Sequence, residues 1–96
     1  MELVIIARFH TREGNENKVA AALREQVIKT RLKPGCLSIN AYRSVREPRL
    51  FFIFSRWSDE TAFDVHAELL NTQRFVETMG QLIDHPFETN RTVAIA

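Results

Sequence analysis

The sequence predicts an α+β fold, with one four-stranded antiparallel sheet and helices on one face of it. The hydrophobic periodicity changes along the chain in the order strand, helix, strand, strand, helix, strand. The link Arg46–Arg49 between the second and third strands is short, which favours an antiparallel hairpin. Pro34 and Gly35 end the first helix just before the second strand. These features indicate a ferredoxin-like plan in a single domain covering residues 1–96.

The N-terminal part of the chain is a strand followed by an amphipathic helix. Residues 2–11 alternate between two faces, and Leu3, Ile5, Ala7 and Phe9 share one of them. Gly14 and Asn15 interrupt this pattern. A helix is predicted over about residues 15–32, and its inward positions recur every three or four residues: Val19, Ala22, Leu23, Gln26 and Val27.

Two strands follow, over residues 36–45 and 50–57. Ser58 is a suitable N-cap for a helix that starts at residue 59, and the acidic residues after it suit the positive end of the helix dipole. The helix is expected to break near Leu70-Asn71, because Asn71-Thr72 offers a second cap.

The C-terminal part of the chain is predicted to be a final strand. Pro86 ends the helical region, and residues 87–95 form the strand, with Val93 and Ile95 facing the same way.

Composition and charge exclude several classes of protein. Thirteen basic and twelve acidic residues give a net charge of +1, so no basic stripe is present to bind nucleic acid. The apolar N-terminus lacks a basic region before it and is too short to span a membrane. A single cysteine, Cys36, excludes an internal disulfide framework and fits a reducing, cytoplasmic compartment.

The first and third strands are apolar on both faces. In the third strand, Phe51 and Ile53 point opposite to Leu50, Phe52 and Phe54. Because helices cover only one face, a monomer would expose large aromatic side chains on the other. We therefore expect a homodimer in which the open sheet faces of two copies pack together.

The segment from Leu50 to Phe75 contains the main candidates for a small-molecule site. Trp57 ends the third strand, and His66 follows nine residues later, about two turns into the next helix, so both side chains can face one pocket. Trp57 can instead be a core residue, and His66 a satisfied or partly exposed one. Phe54 and Phe75 can border the same pocket, although packing alone also explains them.

Asn40 and Tyr42 are further candidates, because they form a polar row with Ser38 on one face of the second strand. Polar groups on a buried face need partners, which can be water, neighbouring side chains or a ligand. No histidine pair has metal-ligand spacing among His10, His66 and His85, and no glycine-rich loop suits a nucleotide. We therefore predict no metal site and no cofactor.

Several of these features, in this order, resemble the antibiotic biosynthesis monooxygenase (ABM) superfamily. They are Phe9 to Gly14, Pro34-Gly35-Cys36, the aromatic strand ending at Trp57, His66 and Phe75. The resemblance implies a dimeric α+β barrel with a cavity between sheet and helices. Members include oxygenases of phenols and quinols that use neither metal nor flavin, haem-degrading enzymes and isomerases of small hydroxyketones.

The chain departs from this family pattern at a few positions. Many relatives have an acidic residue two positions before the tryptophan, where this chain has Ser55. The haem-degrading branch has an Asn on the first strand, here about Ala7, and an axial His after the counterpart of Phe75, where this chain offers Glu77 and Thr78. Without that imidazole, haem degradation is not expected.

The resemblance and the candidate residues together favour a cofactor-independent monooxygenase that oxidises a phenolic or quinol-type molecule with O₂. His66 would act as base or hydrogen-bond partner, and Asn40 and Tyr42 would hold the developing oxyanion. Trp57, Phe54 and Phe75 would form the walls of the substrate site. Two alternatives remain open, namely an isomerase of a small hydroxyketone or sugar-derived metabolite and a non-catalytic dimeric ligand-binding protein.

Overall fold

The computed structural model describes residues 1–96, which form four strands and three helices. In chain order the elements are β1 (Leu3–His10), α1 (Glu16–Thr30), β2 (Cys36–Arg43), β3 (Leu50–Trp57), α2 (Glu60–Glu68), α3 (Leu70–Leu82) and β4 (Glu88–Thr92). The strands make one antiparallel sheet in the order β2-β3-β1-β4. The predicted ferredoxin-like α+β architecture is confirmed.

The core lies between the helices and one face of the sheet. Strand residues on this face are almost fully buried, from Phe9 at 1% exposed to Ile53 at 7%. Val19 and Leu23 from α1 and Met79 from α3 pack against them. Because burying a large apolar side chain contributes about 1.5–3 kcal/mol, this layer is a main source of the stability of the fold.

The helix α1 agrees closely with its prediction over residues 15–32. It buries the predicted inward residues Val19, Leu23, Gln26 and Val27, together with Thr30. The chain then turns at Gly35, whose φ of +81° lies in the left-handed region that favours glycine. The carbonyl of Gly35 accepts a hydrogen bond from the Ser58 N–H at 2.9 Å, which ties this turn to the start of α2.

The helical region after β3 breaks as predicted, but both of its caps differ from the prediction. Asp59, not Ser58, is the N-cap of α2, and its carboxylate accepts a hydrogen bond from the Ala62 N–H at 2.8 Å. The break falls at Leu69, whose extended backbone (ψ 142°) separates α2 from α3. Asn71-Thr72 therefore lies inside α3 and does not cap it. None of the three helices is both long enough and apolar enough to cross a membrane.

The last strand is shorter than predicted. We expected residues 87–95, but β4 ends at Thr92, which pairs with Val4 of β1. Since β1 begins at Leu3, the chain beyond Thr92 has almost no partner strand left to pair with. Val93 and Ile95 therefore lie outside the sheet and are exposed, so the prediction that they belong to the strand is wrong.

Candidate active site

A cavity of about 360 Å³ lies between the sheet and the helices. Eleven of its eighteen lining residues are hydrophobic, and they come from the buried face of the sheet and from all three helices. This volume is within the range of about 300–1,000 Å³ that is usual for small-molecule sites. The cavity is therefore the candidate site for a small, mainly apolar ligand.

His66 lines this cavity from α2, in the last turn of the helix. The side chain is only 7% exposed, and its ring packs against Trp57 with 4.8 Å between the ring centroids. Its Nδ1 is buried and has no hydrogen-bond partner in the protein. Burial lowers the pKa of His66, and the positive charge of Lys33 lowers it further. The imidazole is therefore neutral at neutral pH and able to accept a proton.

Trp57 lines the cavity next to His66 and is held by two neighbours. Its indole Nε1 donates a hydrogen bond to Ser55 Oγ at 3.1 Å, so the buried N–H is satisfied. Phe63 meets the indole edge to face, with 5.5 Å between ring centroids. The Ser55 hydroxyl therefore orients the indole.

Phe75 borders the cavity from α3 and belongs to an aromatic cluster. Phe9 of β1 packs edge to face against Phe75 at 6.3 Å and lies 5.0 Å from the ring of Phe87. All three aromatic rings line the cavity. The structure thus brings His66, Trp57 and Phe75 to one cavity, as their predicted roles require.

Besides His66, the helices contribute three polar side chains to the cavity lining: Gln26, Thr30 and Thr72. Thr30 donates its hydroxyl proton to the carbonyl of Gln26 at 2.7 Å, whereas Thr72 Oγ1 is buried without a partner. The sequence prediction missed all three as site residues. For Gln26 a signal existed, because a polar residue at an inward position of an amphipathic helix needs a partner in the core.

Arg91 of β4 is a charged residue at the edge of the cavity. Its Nη1 donates to Glu60 Oε2 at 2.8 Å and to Asp64 Oδ1 at 2.7 Å, both on α2. The guanidinium also lies 5.0 Å from the ring centroid of Phe63. Arg91 therefore joins β4 to the helix that holds His66, and its charge is already paired.

Three predicted site residues lie elsewhere: Asn40, Tyr42 and Phe54. They occupy the sheet face opposite to the helices, with Tyr42 53% and Phe54 39% exposed. Asn40 Oδ1 accepts a hydrogen bond from Arg31 at 2.9 Å. The expectation that these residues line the cavity with His66 is corrected, because alternating side chains put Ile39, Ile53 and Ser55 on the cavity face instead.

Comparison with known proteins agrees with this fold. The family model described as antibiotic biosynthesis monooxygenase matches residues 2–78. The chain belongs to this family. The match covers β1 to most of α3, and so includes Trp57, His66 and Phe75. The family resemblance predicted from the sequence is confirmed.

Solved structures related to this member of the ABM family share its whole fold. Rv0793 from Mycobacterium tuberculosis has a TM-score of 0.92 and 23% identity, over 100% of this chain and 97% of that one. An antibiotic biosynthesis monooxygenase of solved structure has a TM-score of 0.90 and 24% identity, over 98% and 99% of the two chains. At these identities the likeness shows the fold alone.

A curated relative is similar at a comparable level. The uncharacterized protein sll1783 of Synechocystis is 24% identical over 86 residues, which are 90% of this ABM-family chain. The chain spans 58% of the length of that relative.

Proposed function

We propose that the protein is a cofactor-independent monooxygenase that oxidises a phenolic or quinol-type small molecule with O₂. Family membership supports a monooxygenase-like role in general terms. The observation that carries the proposal is the buried Nδ1 of His66, which lacks a partner and belongs to a ring packed against Trp57 in a mainly apolar cavity. Such a nitrogen is suited to bind or deprotonate a hydroxyl group of a bound ligand.

The proposed substrate is a flat aromatic molecule. Trp57, Phe63 and Phe75 give the cavity aromatic walls, against which a planar ring can stack or meet edge to face. The few polar groups then fix the orientation of the ring, as is usual in small-molecule sites. A mainly apolar cavity also favours a neutral phenol over a highly charged ligand.

The reaction begins when neutral His66 accepts the phenolic proton, which leaves an electron-rich phenolate. Electron transfer to O₂ and formation of a C–O bond at a ring or methylene carbon give a hydroperoxide. Cleavage of its O–O bond, with loss of the hydrogen on that carbon, yields a C=O group and one water. For a methylene carbon the balance is CH₂ + O₂ → C=O + H₂O, so no external reductant is needed.

The oxyanion needs hydrogen-bond donors that face the cavity. Asn40 and Tyr42 lie on the other face of the sheet, so we assign this role to Thr72, and to Gln26 as a second donor. Thr72 Oγ1 is buried without a partner and is free to donate to a ligand oxygen. His66, once protonated, would stabilise the same negative charge.

We also propose that the active form is a homodimer joined through the open sheet face. Ile6 and Phe54 are paired neighbours on that face, 37% and 39% exposed, and Tyr42 extends the same apolar surface. A second copy would cover this surface from water. The dimer would leave the cavity of each subunit unchanged, because the cavity lies on the opposite face.

The test is turnover of a panel of hydroquinones and anthrone-type compounds by metal-free protein. Turnover is measured as O₂ consumption and by the mass of the product. We expect turnover by the wild type, and a decrease in kcat/KM of about 10²-fold or more in His66→Gln, since a general base contributes about that much. Trp57→Phe should slow turnover less. Tyr42→Phe is the matched control and should retain wild-type turnover, because its side chain faces away from the cavity.

Four outcomes would count against the proposal. No turnover of any compound in the panel would exclude this chemistry. Turnover of hydroxyketones without O₂ would instead favour an isomerase, and tight binding without any product would favour a ligand-binding protein. Equal losses in Tyr42→Phe and His66→Gln would contradict the assignment of the site to this cavity.

A further inference from the structure

A second cluster of chemically active side chains lies outside the cavity, at the end of β1. His10 Nδ1 is 2.6 Å from Asp84 Oδ2, and His85 Nδ1 is 2.5 Å from Asp84 Oδ1. One ligand atom from each of the three residues lies within 4.8 Å of the other two. The two imidazole rings are stacked, with 5.9 Å between centroids and 24° between planes. Two histidines thus face the two oxygens of one carboxylate.

Backbone hydrogen bonds hold the segments that carry these side chains. The Asp84 N–H donates to the His10 carbonyl at 3.0 Å, and the Arg12 N–H donates to the Leu82 carbonyl at 2.9 Å. The buried hydroxyl of Thr11 also donates to the Leu82 carbonyl at 3.0 Å. The end of β1 and the segment after α3 are therefore fixed side by side, although His10 and Asp84 are 74 residues apart in sequence.

The chemistry of the cluster is that of a divalent cation site. Two imidazole nitrogens and a carboxylate oxygen are a common ligand set for Zn²⁺, with a fourth position left for water. A tetrahedral cation bound between the three residues needs ligand atoms roughly 3.3 Å apart. The Nδ1 atoms are now 2.6 and 2.5 Å from the carboxylate oxygens of Asp84, so these side chains would move apart slightly to hold the ion.

One cation already competes for the carboxylate. Arg49 Nη2 lies 3.3 Å from Asp84 Oδ2, and its Nε donates to the Thr11 carbonyl at 3.0 Å. This contact to Asp84 is longer and weaker than those of the two histidines. The positive charge of Arg49 repels a bound metal ion, and so favours moderate rather than very tight metal affinity.

We propose that His10, Asp84 and His85 form a Zn²⁺-binding site that clamps the end of β1 to the segment between α3 and β4. This proposal differs from the sequence-based prediction of no metal site, which considered only the spacing of histidines along the chain. The site is separate from the proposed oxygenation chemistry. Phe87 lies two residues after His85 and borders both the cavity and the surface pocket that contains Asp84 and His85. Bound Zn²⁺ would restrain this part of the cavity wall.

The test is calorimetric titration of chelator-treated protein with Zn²⁺ alone at pH 7.5, with thermal unfolding measured in parallel. We expect one Zn²⁺ per chain and a Tm that rises with Zn²⁺ concentration, because only the folded chain assembles the site. Loss of a ligand in His10→Gln or His85→Gln should weaken binding by at least about tenfold. Mg²⁺, which prefers oxygen ligands, should not bind.

The third histidine of the chain provides the matched control. His66→Gln lies outside the cluster and should bind Zn²⁺ as the wild type does. Binding absent up to millimolar Zn²⁺ would overturn the proposal, as would equal affinity in the wild type and His10→Gln, or a loss of binding confined to His66→Gln. Asp84→Asn should also weaken Zn²⁺ binding. If this variant fails to fold, the two histidine variants and an NMR titration of the imidazole signals still decide the result.

Discussion

His66 is buried and yet one of its ring nitrogens lacks a hydrogen-bond partner, a combination that proteins usually avoid. An unsatisfied buried group costs about 1–3 kcal/mol of stability. The position of the ring in the cavity, packed against Trp57, gives a functional reason for this cost. Trp57 differs, because Ser55 satisfies its N–H, so the indole acts as a fixed wall for the imidazole.

The pH dependence of stability should reveal the neutral state of His66. Its pKa in the folded protein is below the ordinary value of 6.5, so the unfolded chain binds the proton more tightly. Above pH 6.5, the contribution of His66 to the free energy of unfolding is complete. As the pH falls from 6.5 through the lowered pKa, the unfolded chain binds more protons than the folded one, and this contribution is lost.

The measurement is the free energy of urea unfolding for the wild type and His66→Gln at pH 7.5, 6.5 and 5.5. The difference, wild type minus variant, should decrease as the pH falls, because glutamine does not titrate. A difference that is constant with pH would contradict the lowered pKa. The acid limb of the kcat/KM profile should likewise have its midpoint below 6.5.

At the level of elements, the start of α2 is the junction that positions His66. Asp59 caps the helix, and the turn at Gly35 packs directly against it. A Cβ added at Gly35 would lie 2.5 Å from the Cβ of Ala62, which is closer than such atoms approach. Glycine at position 35 therefore has a local physical cause, namely close packing against α2.

Two substitutions at the start of α2 distinguish the observed N-cap, Asp59, from the predicted one, Ser58. Asp59→Ala removes the acceptor of the Ala62 N–H and should lower the free energy of unfolding by about 1 kcal/mol. Ser58→Ala should change it by less than about 0.5 kcal/mol, as is usual for exposed surface positions. Chemical denaturation of both variants measures this difference, and a larger loss in Ser58→Ala would restore the original assignment.

Alanine substitution of two glycines with positive φ provides a second comparison. The Cβ added by Gly14→Ala has no atom within 4 Å. This substitution should therefore lower the free energy of unfolding only by the backbone cost of a positive φ, about 1–2 kcal/mol. Gly35→Ala has a similar φ but also collides with Ala62, so α2 must shift and the loss of stability should be clearly larger. Thermal unfolding ranks the two variants, and equal Tm values would contradict the close packing between Gly35 and α2.

At the scale of the whole molecule, the two sheet faces have different environments. The helices and the cavity cover one face, whereas the other exposes Ile6, Tyr42 and Phe54. Ile6 lies opposite Phe54 in the β1–β3 pairing, so these side chains form one continuous surface. The proposed dimer uses this surface.

A charge on the open face should separate the subunits. We expect wild-type protein to sediment at twice the mass of the chain, and Ile6→Glu to sediment at the mass of one chain, since a buried unpaired carboxylate is strongly unfavourable. Ile28→Glu is the matched control, because Ile28 is 63% exposed on α1, and it should remain dimeric. A wild type that stays monomeric at all concentrations would contradict the proposed assembly.

The amino-acid sequence by itself determined the order of the elements and most of the residues that share each face. Side chains alternate along a strand and recur every three or four residues in a helix, so local patterns predict β1, α1 and β3 closely. The break near Leu70 and the shared cavity of Trp57 and His66 follow from the same patterns.

Only the tertiary structure decided which polar side chains face the cavity and which distant residues meet. The sequence placed Asn40 and Tyr42 on one face of β2, but the packing of Ile39 against the helices decides that this face is the open one. The unpaired Thr72 hydroxyl and the contact of His10 with Asp84 depend on segments brought together by the antiparallel sheet and its helices. Such contacts have no local period, so no pattern along the chain predicts them.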